Sequence, residues 1–170
     1  MERLYWNTAA FNDHRMYMAV TKKGLKFMSD PKQGISQIYD FYRHQSFEFK
    51  YQADLTRPYQ KVIEDYLAGE HYSNHLPLDL DGIGDHLDHQ VWHLVRQIPY
   101  GEVRTVKQLA KRLHSSAARI EKSLRLNPIL ILIPTHRVLE TPEKLGHFRE
   151  SPGMKSQLLE IETIMSNAGD

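Results

Sequence analysis

Residues 129–133, Ile-Leu-Ile-Leu-Ile, form an unbroken apolar run held between Asn127-Pro128 and Pro134. Five consecutive large aliphatic side chains leave no polar face for water, so the run belongs in an interior, and it reads as a buried strand. A chain of 170 residues is long enough to supply that interior, as one domain or two small ones. The next residues, Pro134-Thr135-His136-Arg137-Val138, place a Pro-initiated turn directly after buried chain, with a small hydroxyl and an imidazole at its tip. A turn delivered in this way sets a polar pair at the floor of a pocket.

The rest of the chain supports a two-part reading. Arg3–Asn7 and Arg15–Thr21 are strand-like, and Lys22-Lys23-Gly24 turns the chain into Leu25–Met28. Pro31–Gly34 breaks this pattern, after which Ile35, Ile38, Tyr39 and Tyr42 recur at helical spacing. Thr56 is the expected N-cap of a helix carrying Tyr59, Val62, Ile63, Tyr66 and Leu67 and stopped at Gly69. His75–Leu80 alternates as a strand does, and Asp79–Gly84 has the turn-rich composition of an interdomain boundary. The expected division is therefore 1–82 and 83–170.

The second part reads as mainly helical. Leu87, Val91, Leu94 and Val95 share one face of a helix from about Asp85 to Arg96, with Trp92 beside them. Thr105 caps a short helix bearing Val106, Leu109, Ala110 and Leu113. His114-Ser115-Ser116 then turns the chain into a second helix over Ala117–Leu126, so the pair forms a helix-turn-helix candidate. A last helix runs from about Pro152 to Ser166, with Met154, Leu158, Leu159, Ile161 and Met165 as its apolar positions.

Composition narrows the chemistry. There is no cysteine, which excludes disulfides, thiolate metal ligands and a thiol nucleophile from these residues. No apolar run approaches the roughly 20 residues of a membrane span, and residues 1–20 lack an apolar signal core, so a soluble, cytoplasmic protein is expected. The formal net charge of +1 hides an asymmetry: residues 89–158 hold 12 Lys/Arg against 5 Asp/Glu, and residues 1–88 hold 10 against 13. A basic half is what a phosphate-facing surface produces, although a solvated charged face gives the same count.

Taken in order, Val91-Trp92-His93-Leu94-Val95-Arg96-Gln97-Ile98-Pro99-Tyr100-Gly101-Glu102-Val103, Asn127-Pro128, Pro134-Thr135-His136-Arg137-Val138, Gly146-His147-Phe148-Arg149 and Lys155…Leu158-Leu159…Glu162 resemble the O6-alkylguanine-DNA alkyltransferase family. The resemblance is strong from about Leu87 to Glu162 and weaker over residues 1–80. It implies an α+β fold: a small N-terminal α/β domain of ribonuclease-H-like shape, followed by a mainly helical domain of winged helix-turn-helix type. It implies a monomer that needs no cofactor and binds the minor groove of double-stranded DNA, in the bacterial case with access to the nucleoid. The family rotates O6-alkylguanine out of the stack and moves the alkyl group to a cysteine in Pro-Cys-His-Arg-Val.

By position, Thr135 replaces that acceptor cysteine. His136 matches the histidine that activates it, Glu162 the carboxylate that orients the histidine, and Asn127 the asparagine that braces the turn. Arg119 matches the arginine that fills the space left by the flipped base. Thr105, Val106, Ser116, Ala118, Lys122 and Arg137 are the further DNA-contacting positions that follow from the resemblance, and Pro134, Val138, Phe148 and Arg149 are expected to line the base pocket. Thr135 decides the enzymology. Attack on a saturated carbon favours a soft, readily ionised thiol, and a threonine hydroxyl is hard, weakly acidic and crowded by its own methyl. The resemblance then points to the alkyltransferase-like branch, which binds alkylated DNA without repairing it and flags it for nucleotide excision repair.

Other positions also depart from the family pattern. Val106 stands where a tyrosine is usual, Phe148 replaces a pocket tyrosine, and Arg149 stands where a small residue is common. The Arg119-to-Asn127 spacing is one residue short. Two alternatives stay open: a methyltransferase whose acceptor cysteine has been exchanged for Thr135, and a degenerate member with only nonspecific DNA binding. Among the histidines, His71 with His75 and His89 with His93 have i,i+4 spacing, and His86 lies nearby, but the family's zinc-binding cysteines are missing, so no metal is expected.

Overall fold

Strand β1 (Glu2–Phe11) turns back through Asn12-Asp13 into β2 (His14–Thr21), which hairpins into β3 (Gly24–Met28). Asn12 takes the left-handed backbone (φ 53°) that this two-residue connection requires, a conformation asparagine tolerates better than most residues. A fourth strand, β4 (Phe47–Tyr51), pairs parallel to β1 and completes a sheet of order β3-β2-β1-β4. These features are seen in a computed structural model that describes residues 1–70 and 75–168, with side chains described as far as residue 163.

The chain divides into two compact units, 1–83 and 84–170. In the first, helix α1 (Ile38–Phe41) precedes β4, and helix α2 (Ala53–Leu67) packs on β1. Tyr59, Ile63 and Tyr66 form the buried stripe of α2, over a core that includes Leu4, Met16, Met18, Leu25 and Phe27. Lys26 is buried in this unit, with its Nζ 2.9 Å from the Asp81 carbonyl and 4.6 Å above the Tyr42 ring.

Two expectations for this unit need correction. Helix α2 begins three residues before Thr56, at Ala53, and Thr56 lies wholly buried in its first turn. The Thr56 hydroxyl accepts from the Asn7 side chain (3.0 Å) and donates back toward the Gln52 and Ala53 carbonyls, so it ties the helix to β1 instead of capping it. The expected strand over His75–Leu80 is reduced to a single parallel bridge between Leu78 and Leu25. Pro77 has no N–H to give to a ladder. Its carbonyl accepts from the Leu25 N–H (3.1 Å) and abuts Gly24, where a Cβ would stand 2.4 Å from that oxygen.

In the second unit, α3 (His86–Arg96) starts on a reciprocal cap: the Asp85 side chain accepts from the Asp88 N–H, and the Asp88 side chain accepts from the Asp85 N–H. Short strand β5 (Arg104–Thr105) leads into α4 (Val106–Arg112), whose N-cap Thr105 forms a second such box with Gln108. Ser116 caps α5 (Ala117–Arg125), and α5 packs on both α3 and α4. Trp92, fully buried, donates its indole N–H to the Ser123 carbonyl (2.8 Å) and fixes α5 against α3. Strand β6 (Val138–Leu139) pairs parallel to β5, and α6 (Pro152–Ala168) closes the unit. Among the described residues no helix is long and apolar enough to cross a membrane.

The apolar run Ile129–Ile133 is fully buried, as its composition demands, and it is not a strand. It coils: the Leu132 N–H donates to the Leu130 carbonyl (2.9 Å), the Ile133 N–H donates to the Ile129 carbonyl (3.2 Å), and Ile131 sits at φ 72°. A left-handed β-branched residue costs roughly 1–2 kcal/mol. Burying five large aliphatic side chains returns roughly 1.5–3 kcal/mol each, so packing outweighs the local preference.

Candidate functional site

The coil over 129–133 carries the chain into a 3-10 turn at Thr135–Arg137, between Pro134 and β6. All three residues of the turn are interior, and Thr135 and His136 have no exposed surface. Asn127 holds the turn from below. Its side-chain amide donates to the Ile133 carbonyl (2.9 Å) and to the Thr135 hydroxyl (3.1 Å), and its side-chain oxygen accepts from the Ile129 N–H (2.8 Å).

The Thr135 hydroxyl has a second partner that the sequence did not single out. It donates to Oε1 of Glu150, a carboxylate only 3% exposed. The hydroxyl therefore has its proton directed at one carboxylate oxygen and a lone pair engaged by Asn127. Glu150 follows Phe148-Arg149 in the loop ahead of α6, where sequence reading stopped one residue short. The signal available was an acid placed among otherwise apolar and basic pocket positions.

On the other side of the turn, His136 Nε2 lies 2.5 Å from Glu162 Oε2. The other oxygen of Glu162 accepts from Arg137 Nε (2.8 Å) and from the Gly101 N–H (2.9 Å). Burial pushes the Glu162 carboxyl up, but the hydrogen bond and charge of His136, with Arg137 and the Gly101 N–H, outweigh it and hold the group at about 2. Glu162 is thus an anion at neutral pH. Its contact with Nε2 fixes the orientation of the His136 ring and favours the tautomer with a proton on Nε2.

Lys155 organises the loop that follows. Its buried ammonium donates to the Val138 and Leu145 carbonyls, both at 2.6 Å, and lies 4.4 Å over the Phe148 ring. Desolvation pulls it down to about 8, against the opposing pull of Glu150 and Glu140. Gly146 (φ 76°) lets the loop pass: a Cβ there would stand 2.9 Å from Glu140 Cβ and 3.0 Å from the Phe148 ring.

The structure thus brings Thr135, Asn127, His136 and Glu162 together around one turn, with Pro134 and Val138 buried on either side of it and Phe148 half-buried nearby. Four expectations change. Arg137, expected to contact DNA, is instead buried: it is 4% exposed, bonded to Glu162 and the Ile98 carbonyl (2.8 Å), with its guanidinium 5.7 Å from the Tyr100 ring centre. Val106 is core, 2% exposed, which suits an apolar residue at that helix start. Arg149, expected to line a base pocket, is 8% exposed and donates Nε to the Asn127 carbonyl (2.9 Å), so it clamps the turn.

Arg119, expected to fill the vacated stack, points back into the protein. It donates to Asp85 (2.7 Å), to the buried Asp88 (2.8 Å) and to the Ser123 hydroxyl (2.6 Å). On the outer face of α5, Ala118 and Lys122 are exposed, and the Ser116 and Thr105 hydroxyls serve as caps. Among the described histidines, His89 rests on Trp92 (5.2 Å between rings) and His93 pairs with Gln97 (3.1 Å); His71 lies outside the described residues. No group of three potential metal ligands occurs among the described residues.

A helix-turn-helix unit joined to a buried Asn–Thr–His–Glu turn defines a protein class, and comparison with known proteins agrees. Residues 86–164 match the family described as 6-O-methylguanine DNA methyltransferase, DNA binding domain. The chain is 29% identical to the inducible methylated-DNA--protein-cysteine methyltransferase of Bacillus subtilis (98% of this chain, 94% of that protein). It is 32% identical to the DNA base-flipping protein of Thermus thermophilus (61% of this chain, 70% of that protein). A solved structure, Mycobacterium tuberculosis OGT in complex with DNA, superposes with a TM-score of 0.78 at 24% identity, over 95% of this chain and 94% of that one. The chain belongs to the 6-O-methylguanine DNA methyltransferase family, with its α+β fold of an N-terminal sheet domain and a helical C-terminal domain.

Proposed function

We propose that this protein binds double-stranded DNA at alkylated guanine, rotates the base out of the stack and holds it without taking the alkyl group. The observation that carries this reading is the state of Thr135: it stands at the acceptor position, in a chain with no cysteine, with its hydroxyl bonded to Asn127 and Glu150.

Magnitudes argue against transfer. An aliphatic hydroxyl is about as weakly acidic as water, far above the range in which a carboxylate titrates. Full deprotonation of such a hydroxyl by a carboxylate costs on the order of 15 kcal/mol before any bond to carbon begins to form. The family's thiolate route avoids that cost. Binding without transfer also fits the name of the Thermus thermophilus relative, a DNA base-flipping protein.

The exposed face of α5, with Ala118, Lys122 and the cap at Ser116, is the surface proposed to lie in the minor groove, with Thr105 at its edge. The excess of Lys/Arg over residues 89–158 supplies attraction to phosphate. The bound complex marks damage for excision-repair proteins, in the cytoplasm and as a monomer. A salt-controlled competition measurement tests the binding step. Full-length protein is expected to retain a preference for alkylated over plain duplex as salt rises, whereas binding that falls equally for both duplexes contradicts it.

A further inference from the structure

We propose that the free edge of β4 pairs with the same strand of a second copy of this chain, antiparallel and centred on Phe49. The inference concerns the first unit and goes beyond the DNA reading above.

Strand β4 (Phe47–Tyr51) ends the sheet order β3-β2-β1-β4, so only its inner edge is paired. The ladder to β1 determines what the outer edge carries. The Glu2 N–H donates to the Ser46 carbonyl, and the register sets Glu2 beside Phe47 and Leu4 beside Phe49. In a parallel ladder, that pattern turns the N–H and C=O of Glu48 and Lys50 toward β1, and those of Phe47, Phe49 and Tyr51 outward. Among the described residues, nothing in the chain pairs with these outward groups. An open edge of this kind is a template for another strand.

The side chains suit that use. Phe47, Phe49 and Tyr51 share one face of the strand, with the Phe47 and Phe49 rings 6.2 Å apart and Tyr51 5.3 Å from Trp6. Tyr51 is nevertheless 62% exposed, an aromatic ring of the type enriched where proteins meet. Glu48 and Lys50 share the opposite face, both with accessible side chains.

Hydrogen bonding and charge select one register. Centred on Phe49, an antiparallel pair sets Phe49 opposite Phe49 and each Phe47 opposite Tyr51 of the other copy. Every outward N–H and C=O of the strand then has a partner, two bonds at each of three residue pairs. On the other face, each Glu48 meets Lys50 of the other copy at a non-hydrogen-bonded position, where opposed side chains come closest. Centring the pair on Glu48 or on Lys50 sets like charges against each other and leaves outward groups unpaired. The contact is therefore self-complementary about a two-fold axis. It is also small: five residues a side against the roughly 20–30 of a standard interface, so a dissociation constant of about 10–100 μM is expected. At the roughly nanomolar concentrations where specific DNA sites are bound, the chain is the monomer of the reading above.

Sedimentation velocity of the full chain without DNA, from about 1 to about 300 μM, decides it. Wild type is expected to pass from monomer to dimer across that range. Glu48→Lys and Lys50→Glu each turn both opposite-charge contacts into like-charge ones, so each variant alone should pair at least about tenfold more weakly. An equimolar mixture of the two variants sets one positive strand against one negative strand and should regain the dimer. Wild type that stays monomeric throughout overturns the proposal, whether or not the variants fold. Variants that pair as strongly as wild type place the contact elsewhere and overturn it too. A mixture that pairs no better than its separate components overturns the antiparallel register, and the proposal with it.

Discussion

The hydroxyl of Thr135 donates to the carboxylate of Glu150, joining the residue at the acceptor position to a loop fifteen residues further along the chain. That contact fixes the rotamer of Thr135, ties the turn to the loop ahead of α6, and makes the turn unlike one that differs by a single sulfur atom.

Restoring the thiol alone is therefore not enough. A Thr135→Cys variant places its sulfur beside Glu150, and a neighbouring carboxylate raises a thiol's pKa and depletes the thiolate. Alkyl transfer by this variant should be slow, and Thr135→Cys with Glu150→Gln should be faster by about tenfold or more, the effect of removing one like charge at short range. Single-turnover transfer from an O6-methylguanine duplex measures both. Equal rates remove Glu150 from the account.

Arg119 is predicted to matter for stability. Asp88 is buried and takes hydrogen bonds from Arg119, the Ser123 hydroxyl and the Asp85 N–H. Arg119→Ala strips the cation from that carboxylate and should cost about 2 kcal/mol, in the range for losing a partly buried charged partner. Urea unfolding reads it. A variant of unchanged stability with much weaker DNA binding returns Arg119 to the expected role of filling the space left by a flipped base.

Acid should unfold the second unit through Glu162. Its carboxyl is held at about 2, below the ordinary value of 4.5. A group depressed in the folded state contributes stability that is complete above its unfolded pKa and is lost as pH falls through the folded one. The contribution is about 3 kcal/mol, lost between pH 4.5 and 2. Glu162→Gln should flatten that part of the stability profile and weaken the protein at neutral pH, because Arg137 and His136 lose their shared anion. A profile identical to wild type contradicts the assignment.

The sequence carried part of this and physics hid the rest. Caps such as Thr105 with Gln108 are local, so the helix-turn-helix could be read directly. Interior placement of Ile129–Ile133 was equally plain, because it depends only on composition. Its coiled form was not, since the left-handed Ile131 is held by packing that no window of residues displays. Thr56 looks like a cap in isolation, and only Asn7, across the sheet, shows that it is a tie. Likewise, an arginine on a helix beside a DNA motif reads as a DNA contact until the acids at the start of α3 come into view. Glu150 required the turn and the loop to be brought together in space.

Lys122, exposed on the outer face of α5, should act as a plain phosphate contact. Lys122→Ala should weaken binding to every duplex by a similar factor and lower the slope of log affinity against log salt by about 0.9. A change confined to alkylated duplex gives Lys122 a role in reading the base.

The most direct test of binding without transfer follows the alkyl group itself. Wild-type protein is mixed in excess with a duplex labelled on the alkyl group of O6-alkylguanine, left through many binding half-lives, and separated under denaturing conditions. All label is predicted to stay on the DNA, even though native separation shows the duplex bound. Label on the protein in proportion to the lesion contradicts the account.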